Sequence, residues 1–263
     1  GGALPVSASA LNAGGEARTP SGMKPRVTPR ALELQEIPGV IEQYRAAARN
    51  ALDAGFDGVE LHGANGYLPD QFLRDGSNRR TDAYGGSVQN RSRFMLEAAR
   101  ALIDVWGPER VGVRLSPSGN YQGMSDSNPR ATFGHIVREL GALRVGYLHI
   151  MEKLLSAPPH QNPDHDIPVG FFRPMYDGVI IANSGFTLER AQQYIREGWA
   201  DAVAFGKPFI SNPDLPERFR RQAAGQAVVL AEPDPATFYT QGEKGYIDYP
   251  ALAEPVTPVL SGR

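Results

Sequence analysis

Short apolar runs alternate along the chain with longer stretches in which apolar positions recur every three to four residues. Five runs read as strands: Val59-Glu60-Leu61, Val111-Gly112-Val113-Arg114-Leu115, Tyr147-Leu148-His149-Ile150, Val179-Ile180-Ile181-Ala182 and Ala202-Val203-Ala204-Phe205. Helical spacing predicts helices over 37–54, within 87–106, near 129–143, over 187–198 and near 214–223. In the first helix Tyr44, Ala47, Ala48 and Leu52 form a candidate buried face, and Gly55 is a stop signal. Short apolar strands alternating with helices imply a parallel sheet with both faces covered. Residues 1–35 are rich in Gly, Pro, Ala and Ser without clear periodicity, and read as irregular surface structure.

Two architectures accommodate this alternation, an open doubly wound sheet and a closed barrel. No Gly-x-Gly-x-x-Gly follows a strand, which weakens the dinucleotide-binding open sheet. A (β/α)8 barrel needs eight strands, and three further units would need ~95 residues more. The expected fold class is therefore α/β, a (β/α)8 TIM barrel of which this chain supplies about five β/α units. The expected organisation is one barrel domain over 1–263: an irregular region over 1–35, β/α units over 36–223 and a C-terminal segment over 224–263. The N-terminal barrel units are expected to lie outside it.

Composition narrows the function classes. The 263 residues are 41% hydrophobic and 21% charged with a formal net charge of −2, so no global pull toward nucleic acid or membrane is expected. Cysteine is absent, which excludes disulfides, thiolate metal sites and cysteine nucleophiles. No apolar run approaches the ~20 residues of a membrane span. The N-terminus shows no signal-peptide pattern, so a soluble cytoplasmic protein is expected.

The densest polar cluster follows the first strand, in His62-Gly63-Ala64-Asn65-Gly66-Tyr67. Residues leaving the C-terminal ends of barrel strands face the active site. His62 and Asn65 have the chemistry to donate two hydrogen bonds to one oxygen, stabilising charge that develops there. Tyr67 has a proton to give nearby. By spacing alone, a polar turn around a buried His stands equal to this reading. Arg114 sits inside an apolar strand, where a permanent charge needs a special partner. The strand ends Asn183-Ser184-Gly185 and Gly206-Lys207 read equally as a phosphate cradle of backbone N–H groups and as ordinary strand-to-helix turns. His149, His160 and His165 show no tight ligand spacing, so no metal site is assigned.

Longer motifs extend this cluster. The His62–Tyr67 segment and the run Asp75-Gly76-Ser77-Asn78-Arg79-Arg80-Thr81-Asp82-Ala83-Tyr84-Gly85-Gly86-Ser87 with Asn90-Arg91-Ser92-Arg93-Phe94 resemble the signature of the old yellow enzyme family. Val113–Pro117, Ala182–Thr187, Phe205–Leu215, Phe238-Tyr239 and Gly245–Pro250 continue the likeness in order. The resemblance implies a flavin mononucleotide (FMN) at the C-terminal face of a barrel. It implies a ping-pong reaction in which NADPH or NADH reduces the flavin and an α,β-unsaturated carbonyl compound or nitroalkene is reduced in turn. By position, His62 and Asn65 would bind the substrate oxygen and Tyr67 would protonate the α carbon. Arg114 would face the flavin ring, and Ser184, Gly185, Gly206 and Lys207 would bind the phosphate. The family usually carries Arg where Lys207 stands; Lys keeps the charge but not the planar two-pronged contact. Tyr239 would lie near the substrate entrance. Asp75, Arg80, Asp82 and Arg91 are expected to brace the loop as ion pairs. A dienoyl reductase with an iron–sulfur cluster is disfavoured, because cluster ligation calls for cysteines.

The missing units leave an alternative from another class: a catalytically incompetent fragment, or one half of a split enzyme, that binds a phosphate ligand or serves as an assembly partner for a second chain.

Overall fold

The computed structural model describes residues 2–153 and 160–252. The chain divides into two compact units, residues 1–203 and 204–263. In the first unit the short strands β1 (Val6–Ser7) and β4 (Arg30–Ala31) pair in parallel. Between them β2 (Glu16–Thr19) and β3 (Gly22–Pro25) form an antiparallel hairpin. Helix α1 (Ile37–Asp53), strand β5 (Val59–Gly63) and helices α2 (Leu68–Leu73) and α3 (Val88–Trp106) follow. Then come β6 (Val111–Leu115), α4 (Pro129–Ala142), β7 (Tyr147–Met151), β8 (Val179–Asn183), α5 (Leu188–Arg196) and β9 (Ala202–Ala204).

The five expected strands form one sheet in the order β5-β6-β7-β8-β9. The pairings β5–β6, β6–β7 and β7–β8 are parallel. Each expected helix also forms, and local chemistry fixes its ends. The Ser87 hydroxyl accepts from the Asn90 N–H at the start of α3, Asn128 Oδ1 from Ala131 at α4, and Thr187 Oγ1 from Arg190 at α5. Such side-chain acceptors satisfy donors that have no partner inside the helix. Gly107, with φ 74°, ends α3 in a conformation that costs other residues more.

Two local expectations change. Residues 1–35 are not merely irregular surface: Ala8 and Leu32 are buried in a cluster with Ile37, Phe72, Tyr84 and Phe94. The Phe72 and Phe94 rings stack at 4.3 Å. The Arg80 guanidinium pins this segment by donating to the carbonyls of Ala8 and Leu32 while pairing with Asp82 at 2.6 Å. The pairing partners of β1–β4 lie more than 20 residues apart, so no local periodicity announces them. In α1 the buried stripe runs through Ile37, Val40, Ile41, Tyr44 and Ala48, whereas Ala47 and Leu52 are exposed. The face is set by α3, whose Trp106 indole donates to the Ala48 carbonyl at 3.0 Å.

The second unit holds α6 (Lys207–Ser211) and α7 (Leu215–Ala223). Phe205 packs edge-on against Phe219 with ring centroids 4.9 Å apart. Asp214 accepts from Arg218 at 2.7 Å and from the Leu252 N–H, which ties the last described segment to the start of α7.

Candidate active site

Parallel register places His62, Arg114 and His149 side by side on one sheet face, with Cα pairs His62–Arg114 and Arg114–His149. One step earlier along the strands stand Glu60, Gly112 and Tyr147. A Cβ at Gly112 would meet the Tyr147 ring at 2.1 Å, so glycine there lets the ring lie across β6. Glu60 also faces His149, whose Nδ1 lies 3.1 Å from its carboxylate. Burial first, then the Glu60 carboxylate, pushes Tyr147 up to about 12. Burial pushes Glu60 upward, but His149, Tyr147 and Arg114 outweigh it, and Glu60 lies below the usual carboxylate range. His62 is held below its ordinary value of 6.5, first by burial and then by the Arg114 charge.

The turn after β5 brings the three catalytic candidates together. The Tyr67 ring leans on the His62 ring with centroids 4.9 Å apart, and Tyr67 is more than half exposed. Asn65 adopts φ 57°, a left-handed conformation that Asn tolerates better than most residues. Its N–H donates to Ser116 Oγ at 2.8 Å and its carbonyl accepts from Gln122 Nε2 at 3.0 Å. Gly66, at φ 76°, gives its N–H to Asp70 Oδ2 at 2.9 Å. Asp70 pairs with Arg74 at 2.7 Å, both essentially inaccessible, and Arg74 donates onward to the carbonyls of Gly119 and Ser116. Ser116, Gln122, Asp70 and Arg74 escaped the sequence reading. The four-residue spacing of Asp70, on α2, and Arg74, its C-cap, was the available signal.

The long loop after α2 is braced largely as expected. Arg91 reaches the carbonyls of Leu73 and Gly86, and lies 3.9 Å from Asp126. Asp75 differs: it accepts from the N–H and hydroxyl of Ser127. Arg114 donates to Asn183 Oδ1 at 3.0 Å, while its Nε has no protein partner. Asn65 Oδ1, His149 Nε2 and Ser184 Oγ are likewise buried without a hydrogen bond. A buried polar atom left unpaired costs about 1–3 kcal/mol. Four such atoms around one set of strand ends fit a polar ligand that supplies the missing partners. Ser184 and Gly185 take φ 116° and 63° at the end of β8, and Ser184 is buried. In the second unit Gly206 caps α6, Lys207 is its first residue, and Tyr239 is 78% exposed. His160 and His165 sit apart from the site, with rings 5.9 Å from each other.

Residues 4–226 match the NADH:flavin oxidoreductase / NADH oxidase family. The chain belongs to this family. A probable flavin mononucleotide-dependent alkene reductase of Leishmania infantum is 44% identical over 229 residues, covering 87% of this chain and 60% of that protein. The 12-oxophytodienoate reductase 2 of Arabidopsis thaliana is 43% identical over 226 residues, 85% of this chain and 59% of that protein. The chain thus spans about three-fifths of these relatives' length. The solved structure of an old yellow enzyme homologue from Zymomonas mobilis superposes with a TM-score of 0.88 at 42% identity, over 95% of this chain and 68% of that one. Morphinone reductase gives 0.86 at 46% identity, over 95% and 66%. Family membership confirms the old yellow enzyme resemblance, and the solved relatives agree with a partial barrel. Among the described residues no helix is long and apolar enough to cross a membrane.

Proposed function

We propose that this chain carries the substrate-facing part of an FMN-dependent ene-reductase that uses NADPH or NADH to reduce the C=C bond of enones or nitroalkenes. The observation that carries the reading is the His62–Asn65–Tyr67 turn, with its two rings in contact, in register with an Arg114 whose Nε donor is unpaired. FMN, when bound, supplies a two-electron carrier between nicotinamide and alkene. The protein's own share is positional. His62 and the Asn65 side-chain amide hold the carbonyl or nitro oxygen, and they oppose the negative charge that gathers on it. His62 is poised as a neutral donor, because burial and Arg114 disfavour its protonation. Tyr67, exposed and lying against His62, holds a proton for the α carbon. Arg114, whose charge is permanent, suits an electron-rich ring. Ser184 and Gly185 are assigned to the phosphate; for Gly206, Lys207 and Tyr239 the assignment rests on the motif resemblance.

In the flavin-loaded enzyme, Tyr67→Phe is expected to slow alkene reduction by about 10²–10⁴-fold, the usual worth of a general acid. Flavin reduction by nicotinamide should be unchanged. Stopped-flow absorbance separates the two half-reactions, and an unaltered oxidative half-reaction would remove Tyr67 from the role.

A further inference from the structure

A cavity lies beneath the β2–β3 hairpin and reaches Gly66 of the Asn65–Gly66 turn. Its volume is about 650 Å³, within the roughly 300–1,000 Å³ of small-molecule sites. Val6, Leu11, Val27 and Met124 make much of its wall apolar. Three cations, Lys24, Arg26 and Arg79, stand on its lining, and no Asp or Glu does. None of the three is in an ion pair among the described residues. Asn12 Nδ2 holds the Arg26 carbonyl at 2.9 Å, which fixes the end of the hairpin and leaves the guanidinium available. Like charges gathered around an apolar hollow repel one another unless an anion joins them. A ligand with an apolar body and one negative group satisfies both the wall and the cations.

We propose that this cavity is a binding site for an amphipathic carboxylate, with its chain against Val6, Leu11 and Met124 and its anionic head at Arg26, Lys24 and Arg79. The site stands on residues separate from those assigned to the flavin and does not depend on that assignment. It is nevertheless joined to the catalytic turn. Gly66, Gln71 and Gln122 also line the cavity. Gln71 Nε2 donates to the Gly66 carbonyl at 2.7 Å and Gln122 Nε2 to the Asn65 carbonyl at 3.0 Å. A ligand seated here touches the groups that set the Asn65 conformation.

The experiment is calorimetric titration of the whole chain with octanoate and, in parallel, with 1-octanol. Octanoate should bind at least about tenfold more tightly, the factor that one charge-assisted hydrogen bond supplies. The Lys24→Gln/Arg26→Gln/Arg79→Gln triple variant should lose that factor while keeping its octanol affinity and its melting temperature. Two-dimensional amide NMR of the wild-type chain should show octanoate shifting Gly66 and the Gln71 and Gln122 side-chain amides. Equal affinity for the acid and the alcohol would overturn the proposal. So would octanoate affinity that survives in the triple variant, shifts confined to residues away from the cavity, or no saturable binding of octanoate.

Discussion

His62 shows how neighbours convert a common side chain into a specific one. Burial and the adjacent Arg114 charge both disfavour its protonated form, so its midpoint lies below 6.5. Between that midpoint and 6.5 the unfolded chain binds the extra proton. The associated stability is therefore complete above 6.5 and is lost as pH falls through the folded midpoint. Histidine ring-proton NMR should give His62 a midpoint below 6.5, and Arg114→Gln should move it upward without restoring the free value, because burial remains. A wild-type midpoint at or above 6.5 would contradict the site's electrostatics. The sequence placed His62, Asn65 and Tyr67 close together because they are neighbours in the chain. It could not show that the side chain of His62 would share a sheet face with Arg114, 52 positions on.

Helix α2 is six residues long, too short to be stable by itself. Its buried Asp70–Arg74 pair ties it in: Asp70 takes the Gly66 N–H, and Arg74 crosses to the loop after β6 and lies over the Phe133 ring at 4.8 Å. The pair thus fastens the Asn65–Gly66 turn to two other elements. Asp70→Ala would leave the Arg74 charge buried without its partner, and such losses cost about 3–5 kcal/mol. Urea unfolding followed by circular dichroism should show a destabilisation in that range. A change below about 1 kcal/mol, the level of exposed ion pairs, would mean that Arg74 finds water or another acceptor. Asp75 illustrates the converse: its charge suggested an ion pair, yet tertiary contact gives it the N–H and hydroxyl of Ser127.

At the scale of the whole molecule, the decisive feature among the described residues is a sheet of five strands with β5 and β9 at its edges. An edge strand presents unpaired N–H and C=O groups, which invite another strand. Barrel closure needs eight strands, so the chain by itself is expected to bind FMN weakly and to self-associate. Light scattering of the purified chain should report species larger than a monomer, and flavin fluorescence should be quenched little. A monodisperse monomer that binds FMN tightly and turns over an enone would refute this.

The sequence by itself determined the five strands, the helices between them, the β/α class and the family. Apolar periodicity and capping residues act within a few positions, and the family motifs are contiguous. Only the tertiary structure decided that Ala8 and Leu32 belong to a core, because their partners lie far along the chain. It alone decided that α1 buries Ala48 and leaves Leu52 outside, since the face of a helix is chosen by what packs against it. Likewise, Asn65 is held by Ser116 and Gln122, more than 50 residues away. Hydrogen bonds of that kind depend on strand register, and register follows from packing the whole sheet rather than from any one segment.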